Sequence, residues 1–175
     1  MFLSQGKTKT TLQSMRNVPS AYWLDVKAKI LGNSTSSMEG ILADASSQSP
    51  PHLVTFIVYD LPNRDCHAKA SNGEICCYKN SDGTCNYDKS GACQDGISEY
   101  QHEYIDVIVG VLKQFDGKVP IVLIIEPDSL PNLATNQGDP HCGNTATVRV
   151  TRTMYLLSLT HDIRLQHISR GYHML

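Results

Sequence analysis

Three apolar runs in this chain stop at acids: Trp23-Leu-Asp25, the run into Asp60 through Asp65, and Val119 to Glu126-Pro-Asp128. The last run is rich in Val and Ile and bounded by Gly and Pro, which reads as a strand buried on both faces. Pro127 has no amide proton to give and ends the ladder, so Asp128 falls just past the strand's C-terminal end. In a parallel α/β sheet these ends share one rim, where chemistry collects. Acids that converge there repel one another, so at least one pKa rises. A carboxylic acid held protonated near neutral pH is what general-acid catalysis at a glycosidic oxygen needs. Trp23, beside Asp25, offers a flat apolar face for a sugar ring. Taken singly, each Asp also suits a turn or a helix start, and Trp23 a core position.

The elements that must position these acids alternate. Val18 to Asp25 reads as a first strand. Residues 36–47 read as a helix with Met38, Ile41, Leu42 and Ala45 on one face. His52 to Asp60 reads as a second buried strand. Ser98 to Phe115 is a helix capped by Ser98, with an apolar stripe of Tyr104, Ile105, Ile108, Val111, Leu112 and Phe115, stopped by Gly117. The third strand follows. Strand, helix, strand, helix, strand predicts a parallel sheet with right-handed crossovers. Residues 1–17 are polar and predict disorder or a loose helix. From residue 145 the periodicity is poor, and helix and strand pair both stay open.

A chain of 175 residues holds one ordinary domain with a core, and its net charge of −2 argues against nucleic acid held on a basic face. No run of eighteen apolar residues occurs, so no membrane partner is expected, and the first ten residues make a poor signal peptide. Six cysteines nevertheless point to disulfides and an extracellular, oxidising setting, which suggests that sequence precedes Met1. Asn33-Ser34-Thr35 fits a glycosylation triplet.

Residues 66–96 form a long loop rich in Cys, Gly, Asn, Asp and Ser, and a loop of that length is functional or stapled. Cys76, Cys77, Cys85 and Cys93 have no pair at zinc-ligand spacing, so two crossed disulfides are expected and no metal. Asn86-x-Asp88-x-Ser90-Gly91 has Ile97 where a calcium loop needs Glu. The scattered histidines, His161, His167 and His173 among them, suit no helical face and read as solvated surface.

Ile57-Val-Tyr-Asp-Leu-Pro-Asn-Arg-Asp-Cys66 with Ala70-Ser-Asn-Gly73, and Leu123-Ile-Ile-Glu-Pro-Asp-Ser-Leu-Pro-Asn132, resemble the two signature segments of glycoside hydrolase family 6, a family of cellulases. Val18 to Asp25 resembles that family's first strand, and Thr135 to Cys142 a later segment, so the resemblance covers residues 17–147. It implies a distorted, seven-stranded, TIM-like β/α barrel, present only in part at 18–147. It implies hydrolysis of β-1,4-glucan with inversion, a polysaccharide partner, no cofactor and a monomer. By position, Asp128 resembles the proton donor and Asp65 the second carboxylate that raises the donor's pKa. Tyr59 resembles the tyrosine that distorts the sugar ring. Ser71 lies in what resembles a mobile loop that holds the attacking water. Trp23 and Asp25 resemble glucose-binding residues, and Cys66 and Cys142 resemble paired cysteines.

Two departures stand out. His67 replaces a small or aromatic residue, and the cysteine-rich stretch is an insertion. The family's later segments are missing, and residues 148–175 read as a divergent tail of the kind a premature end, a frameshift or intron read-through produces. Three or four strands cannot close a barrel. The chain is therefore expected to turn over little substrate, and a relative that binds glucan without cutting it is the alternative.

Overall fold

The computed structural model describes residues 3–15, 18–68, 71–160 and 172–174. Four strands, β1 (Tyr22–Leu24), β2 (Val54–Val58), β3 (Ile121–Ile125) and β4 (Tyr172–Met174), form one sheet in the order β1-β2-β3-β4. All three pairings are parallel, with Leu24 opposite Val58 and Val58 opposite Ile125. The expected parallel α/β topology is present, and among the described residues the sheet is open. The first two strands are shorter than the apolar runs that announce them. Leu3–Met15 forms helix α1.

Between β1 and β2 runs α2 (Met38–Ser47), whose Met38, Ile41, Leu42 and Ala45 are buried as their spacing predicts. Ser37 caps it, accepting from the Gly40 amide through Oγ at 3.2 Å. A Cβ on Gly40 would stand 2.1 Å from the Ser34 carbonyl oxygen, so only glycine lets the preceding loop fold back here.

The second crossover corrects the sequence reading. The helix begins at Gln94, not at Ser98, and Cys93 occupies its N-cap in a left-handed conformation without a side-chain cap bond. It continues through α3 (Gln94–Glu99), a π-helical turn (Tyr100–Ile105) and α4 (Asp106–Gln114). The wider turn carries Tyr100 and Tyr104, both fully buried with ring centroids 5.4 Å apart. The apolar stripe of α4 is buried through Ile108, Val111 and Leu112. Gly117, at φ 69°, follows the end of the helix.

After β3 come α5 (Ser129–Thr135) and α6 (Thr145–Thr160), which resolves the open choice after residue 145 as a helix. Of the three histidines noted above, His161 and His167 lie outside the described residues. The core joins Leu24, Phe56, Val58, Ile121 and Leu123 of the sheet to the inner faces of α2 and α4. Phe56 is central and fully buried. Phe56→Ala is expected to cost about 3–5 kcal/mol, read as a lower urea midpoint at unchanged slope.

Candidate active site

Three residues near the strand tips have positive φ: Asn63 at 59°, Asp65 at 52° and Glu126 at 46°. Short polar side chains tolerate this region better than long ones, so Glu126 must be held there by its contacts. Its amide donates to the Val58 carbonyl at 2.8 Å. Its Oε1 accepts from the Asp60 amide and the Tyr100 hydroxyl, both at 2.9 Å, and its Oε2 accepts from Ser129 Oγ at 2.7 Å. Burial raises its pKa against these donors.

Asp60 is fully buried, and neither of its side-chain oxygens has a hydrogen-bond partner among the described residues. The Arg64 guanidinium lies 3.5 Å from Oδ1 as an ion pair. Burial pushes the Asp60 carboxyl up to about 8, with Arg64 opposing and Glu74, Glu126 and Asp25 reinforcing. The rise in pKa expected for the rim thus falls on Asp60 and Glu126. Its first cause is desolvation rather than mutual repulsion.

Asp65 and Asp128 are more open. Asp65 Oδ1 accepts from the Tyr59 hydroxyl at 2.7 Å and from Asn132 Nδ2 at 3.1 Å, and Arg64 Nη1 stands 3.5 Å from Oδ2. Asn132 also reaches the Tyr59 hydroxyl at 3.3 Å. Asp128 is exposed at the N-cap of α5; its backbone carbonyl accepts from the Asn132 amide at 2.9 Å, and its carboxylate has no hydrogen-bond or ion-pair partner among the described residues. The Tyr59 hydroxyl links the two acids electrostatically. Burial raises its pKa first, followed by the Asp65 hydrogen bond and the charges of Asp65 and Asp128. The Tyr59 ring is fixed between the Trp23 edge, 5.5 Å away and nearly perpendicular, and the Arg64 guanidinium, 5.0 Å from its centroid.

Trp23 is 43% exposed, which leaves an aromatic face for a ligand. The Asp25 carboxylate pairs with Lys29, and its carbonyl accepts from Arg64 Nη2 at 2.9 Å. Ser71 is exposed, next to Asn72, whose amide donates to the Asp65 carbonyl at 2.9 Å. A cleft beside this group is lined by Asn63, Arg64, Asp65, Ser129, Asn132 and Thr147, and Asp128 stands outside that lining. Among the described residues no group of His, Cys, Asp and Glu is placed to hold a metal ion. No described helix is long and apolar enough to cross a membrane.

Cys66 is bonded to Cys142, Cys76 to Cys85 and Cys77 to Cys93, so the last two bridges cross. The first bridge ties the Asp65 turn to the segment after α5. Asn63 strengthens that tie, donating to Thr147 Oγ1 at 2.8 Å and accepting from the Cys77 amide at 2.9 Å.

The sequence reading counted Glu126 among the rim acids without giving it a role, and it passed over Arg64, Asn132 and Tyr100 as parts of the site. Asn132 left a usable signal, standing four residues after Asp128 on one helical face. Tyr100 left none, because the π turn that aims it is not visible in apolar spacing.

A model of the glycosyl hydrolases family 6 matches residues 2–165. The chain is 38% identical over 146 residues to 1,4-beta-D-glucan cellobiohydrolase C of Emericella nidulans, covering 81% of this chain and 27% of the relative. It is 39% identical over 142 residues to exoglucanase 2 of Hypocrea jecorina, covering 79% and 26%. Its fold is similar to cellobiohydrolase II (Cel6A) from Humicola insolens, solved in complex with glucose and cellotetraose. The TM-score there is 0.64 at 27% identity, over 92% of this chain and 38% of that one. An open parallel sheet with helical crossovers and an acid-lined rim is thus part of a TIM-like barrel. The chain belongs to glycosyl hydrolases family 6, and it spans about a quarter of the length of the curated relatives it matches.

The buried Asp60 gives a pH test. Its folded pKa lies above its unfolded value, so the native state binds the extra proton and stability falls as pH rises from about 4 to about 8. Asp60→Asn should flatten the fall in Tm across that window. Each kcal/mol recovered raises Tm by about 2–4 °C, and the same slope in both proteins would contradict the assignment.

Proposed function

We propose that the rim hydrolyses β-1,4-linked glucan with inversion at the anomeric carbon. The observation that carries this reading is the placement of Asp65 and Asp128 past the tips of adjacent parallel strands, with the Tyr59 hydroxyl bonded to one and feeling the charge of both. Asp128, whose carboxyl has no partner among the described residues, gives its proton to the leaving glycosidic oxygen as the C–O bond breaks. Water adds to the anomeric carbon from the opposite face and loses its proton to solvent through a chain held at Ser71. Asp65 stays anionic and stabilises the oxocarbenium-like transition state. The Tyr59 ring, clamped between Trp23 and Arg64, presses the sugar out of its relaxed shape. Trp23 stacks a neighbouring glucosyl unit and Asp25 bonds its hydroxyls.

The names of the relatives support a glucan substrate, and the Humicola insolens structure was solved with cellotetraose. Three disulfides support an extracellular site of action. We infer a monomer with neither nucleic acid nor membrane as partner. A second reading, glucan binding without cleavage, is favoured by the openness of the described sheet.

Reducing-end release from soluble β-glucan, with the product anomer followed by NMR, separates the two readings. The first predicts slow release of the α-anomer, cut by about 10²- to 10⁴-fold in Asp128→Asn. Cleavage that survives the substitution contradicts the donor assignment, and a β-anomeric first product contradicts inversion. Trp23 is the sole tryptophan, so its fluorescence reports binding directly. A response to cellotetraose without any cleavage selects the second reading, and no response contradicts both.

A further inference from the structure

The loop between β1 and α2 holds the one Asn-x-Ser/Thr triplet of the sequence, Asn33-Ser34-Thr35. Such a triplet is the acceptor pattern for an N-linked glycan, and it arises by chance in many chains. What singles this one out is how the loop uses its polar side chains. Four hydroxyl residues run from Ser34 to Ser37, and three of them hold the turn. Ser34 Oγ and Ser36 Oγ lie 2.6 Å apart, and the Ser36 amide donates to Ser34 Oγ at 3.0 Å. Ser37 Oγ donates to the carbonyls of Gly32 at 2.8 Å and Ser34 at 2.9 Å, besides capping α2. The Ser37 amide closes the turn on the Ser34 carbonyl at 3.1 Å. The loop is also tied to the first turn of α2, because the Gly32 amide donates to Glu39 Oε2 at 2.8 Å. Thr35 alone takes no part. Its hydroxyl is exposed and has no hydrogen-bond partner among the described residues.

Asn33 stands out in the same way. Asparagine in a turn ordinarily bonds nearby backbone through its side chain. Among the described residues, the seven other asparagines all hydrogen-bond through their side chains. The Asn33 amide is exposed and bonds to none of the described residues. The two side chains that the triplet needs are thus the two that the loop leaves in water, while their neighbours fix the backbone that carries them. A glycan is bulky and solubilising, and a folded chain carries one only where the asparagine faces solvent. Asn33 meets that condition without breaking a contact. Three disulfides suit an oxidising compartment such as the endoplasmic-reticulum lumen, where lipid-linked oligosaccharides are transferred.

We propose that Asn33 is the acceptor of an N-linked oligosaccharide, with Thr35 as the hydroxyl that the transferase reads. Transfer joins Asn33 Nδ2 to C1 of the first sugar. The C1–O bond to the diphosphate of a lipid-linked oligosaccharide breaks, and the lipid diphosphate leaves with the electron pair. One amide proton passes to a base on the transferase, and nothing is oxidised or reduced. Neither Asp65 nor Asp128 takes part, so glycan attachment is independent of the glucan chemistry.

Translation of the full chain into eukaryotic microsomes, behind a cleavable secretion leader, tests this. The protease-protected product should run as a heavier species. Peptide-N-glycosidase should return it to the unmodified mobility and leave an aspartate at that position. Asn33→Gln and Thr35→Ala should each abolish the heavier species, and Thr35→Ser should restore it. A protected parent chain without the glycan overturns the proposal, as does a glycan that persists in Asn33→Gln. Persistence in Thr35→Ala, or loss in Thr35→Ser, contradicts the role given to the hydroxyl. Fit to the fold is read separately, on the chain secreted from a eukaryotic host. The glycosylated form should melt within about 2 °C of its enzymatically stripped form, because a surface change that breaks no contact moves stability little. A glycosylated form that melts well below the stripped one contradicts the free placement of Asn33.

Discussion

The carboxylate of Glu126 joins the tips of β2 and β3, and the rest of the rim follows from that joint. Removing an ionised carboxylate from water costs several kcal/mol unless donors replace the lost hydration. Here the Asp60 amide, the Tyr100 hydroxyl and the Ser129 hydroxyl replace it. One donor comes from just past β2, one from the π turn and one from the start of α5. The chain then has little freedom in where Asp60 and Asp128 fall, since Asp60 supplies a bonded amide and Asp128 lies two residues beyond Glu126. Glu126 adopts a positive φ that a long side chain resists, and its hydrogen bonds hold it there.

The acids of the rim therefore divide into two kinds. Asp60 is sealed in and Glu126 is half-buried, both with pKa values raised by burial, and they shape the backbone and the packing of Arg64 and Tyr100. Asp65 and Asp128 keep access to solvent, and they are the two acids to which the proposed function assigns the chemistry. Tyr59 stands between the groups: its amide bonds the Leu24 carbonyl at 3.2 Å and the Tyr104 hydroxyl at 3.0 Å, while its own hydroxyl bonds Asp65. A single residue thus ties the register of β1 and β2 to the orientation of the second carboxylate. Two features give the site its rigidity without metal or cofactor chemistry in the proposal: bridged cysteines around the Asp65 turn, and hydrogen bonds from Asn63, Asn72 and Asn132.

Much of this was legible in the residues, for identifiable reasons. The run from Val119 to Ile125 read as a strand ended by Pro127, and it is one, but it is not buried on both faces: Ile121 and Leu123 are buried while Val122, Ile124 and Ile125 are half-buried. The faces of α2 and α4 followed from apolar spacing. Asp65, Asp128, Tyr59 and Trp23 were proposed for the site because they sit in stretches with a strong family resemblance. Other features left no local trace. The start of the second crossover helix at Gln94 depends on Cys93 adopting a left-handed turn while bonded to Cys77, a constraint that outweighs the capping preference of Ser98. Which acids would be desolvated depended on the packing of Tyr100 and Arg64, and hydrophobic periodicity carries no information about that. The weak pattern after residue 145 became a helix because Ala146 and Val150 pack on the insertion's buried bridge, a contact made across more than fifty residues of sequence.

At the centre of the account is a shared sugar groove faced by Asp65 and Asp128 from neighbouring strand tips. The most direct test is a crystal structure of the chain with cellotetraose bound. The account predicts one glucosyl ring stacked on Trp23, and a glycosidic oxygen within hydrogen-bond reach, about 2.6–3.2 Å, of the Asp128 carboxyl. It also predicts the Tyr59 hydroxyl still bonded to Asp65 beneath the next ring. Cellotetraose seated away from this rim, or crossing it with Asp128 turned from every glycosidic oxygen, would contradict it.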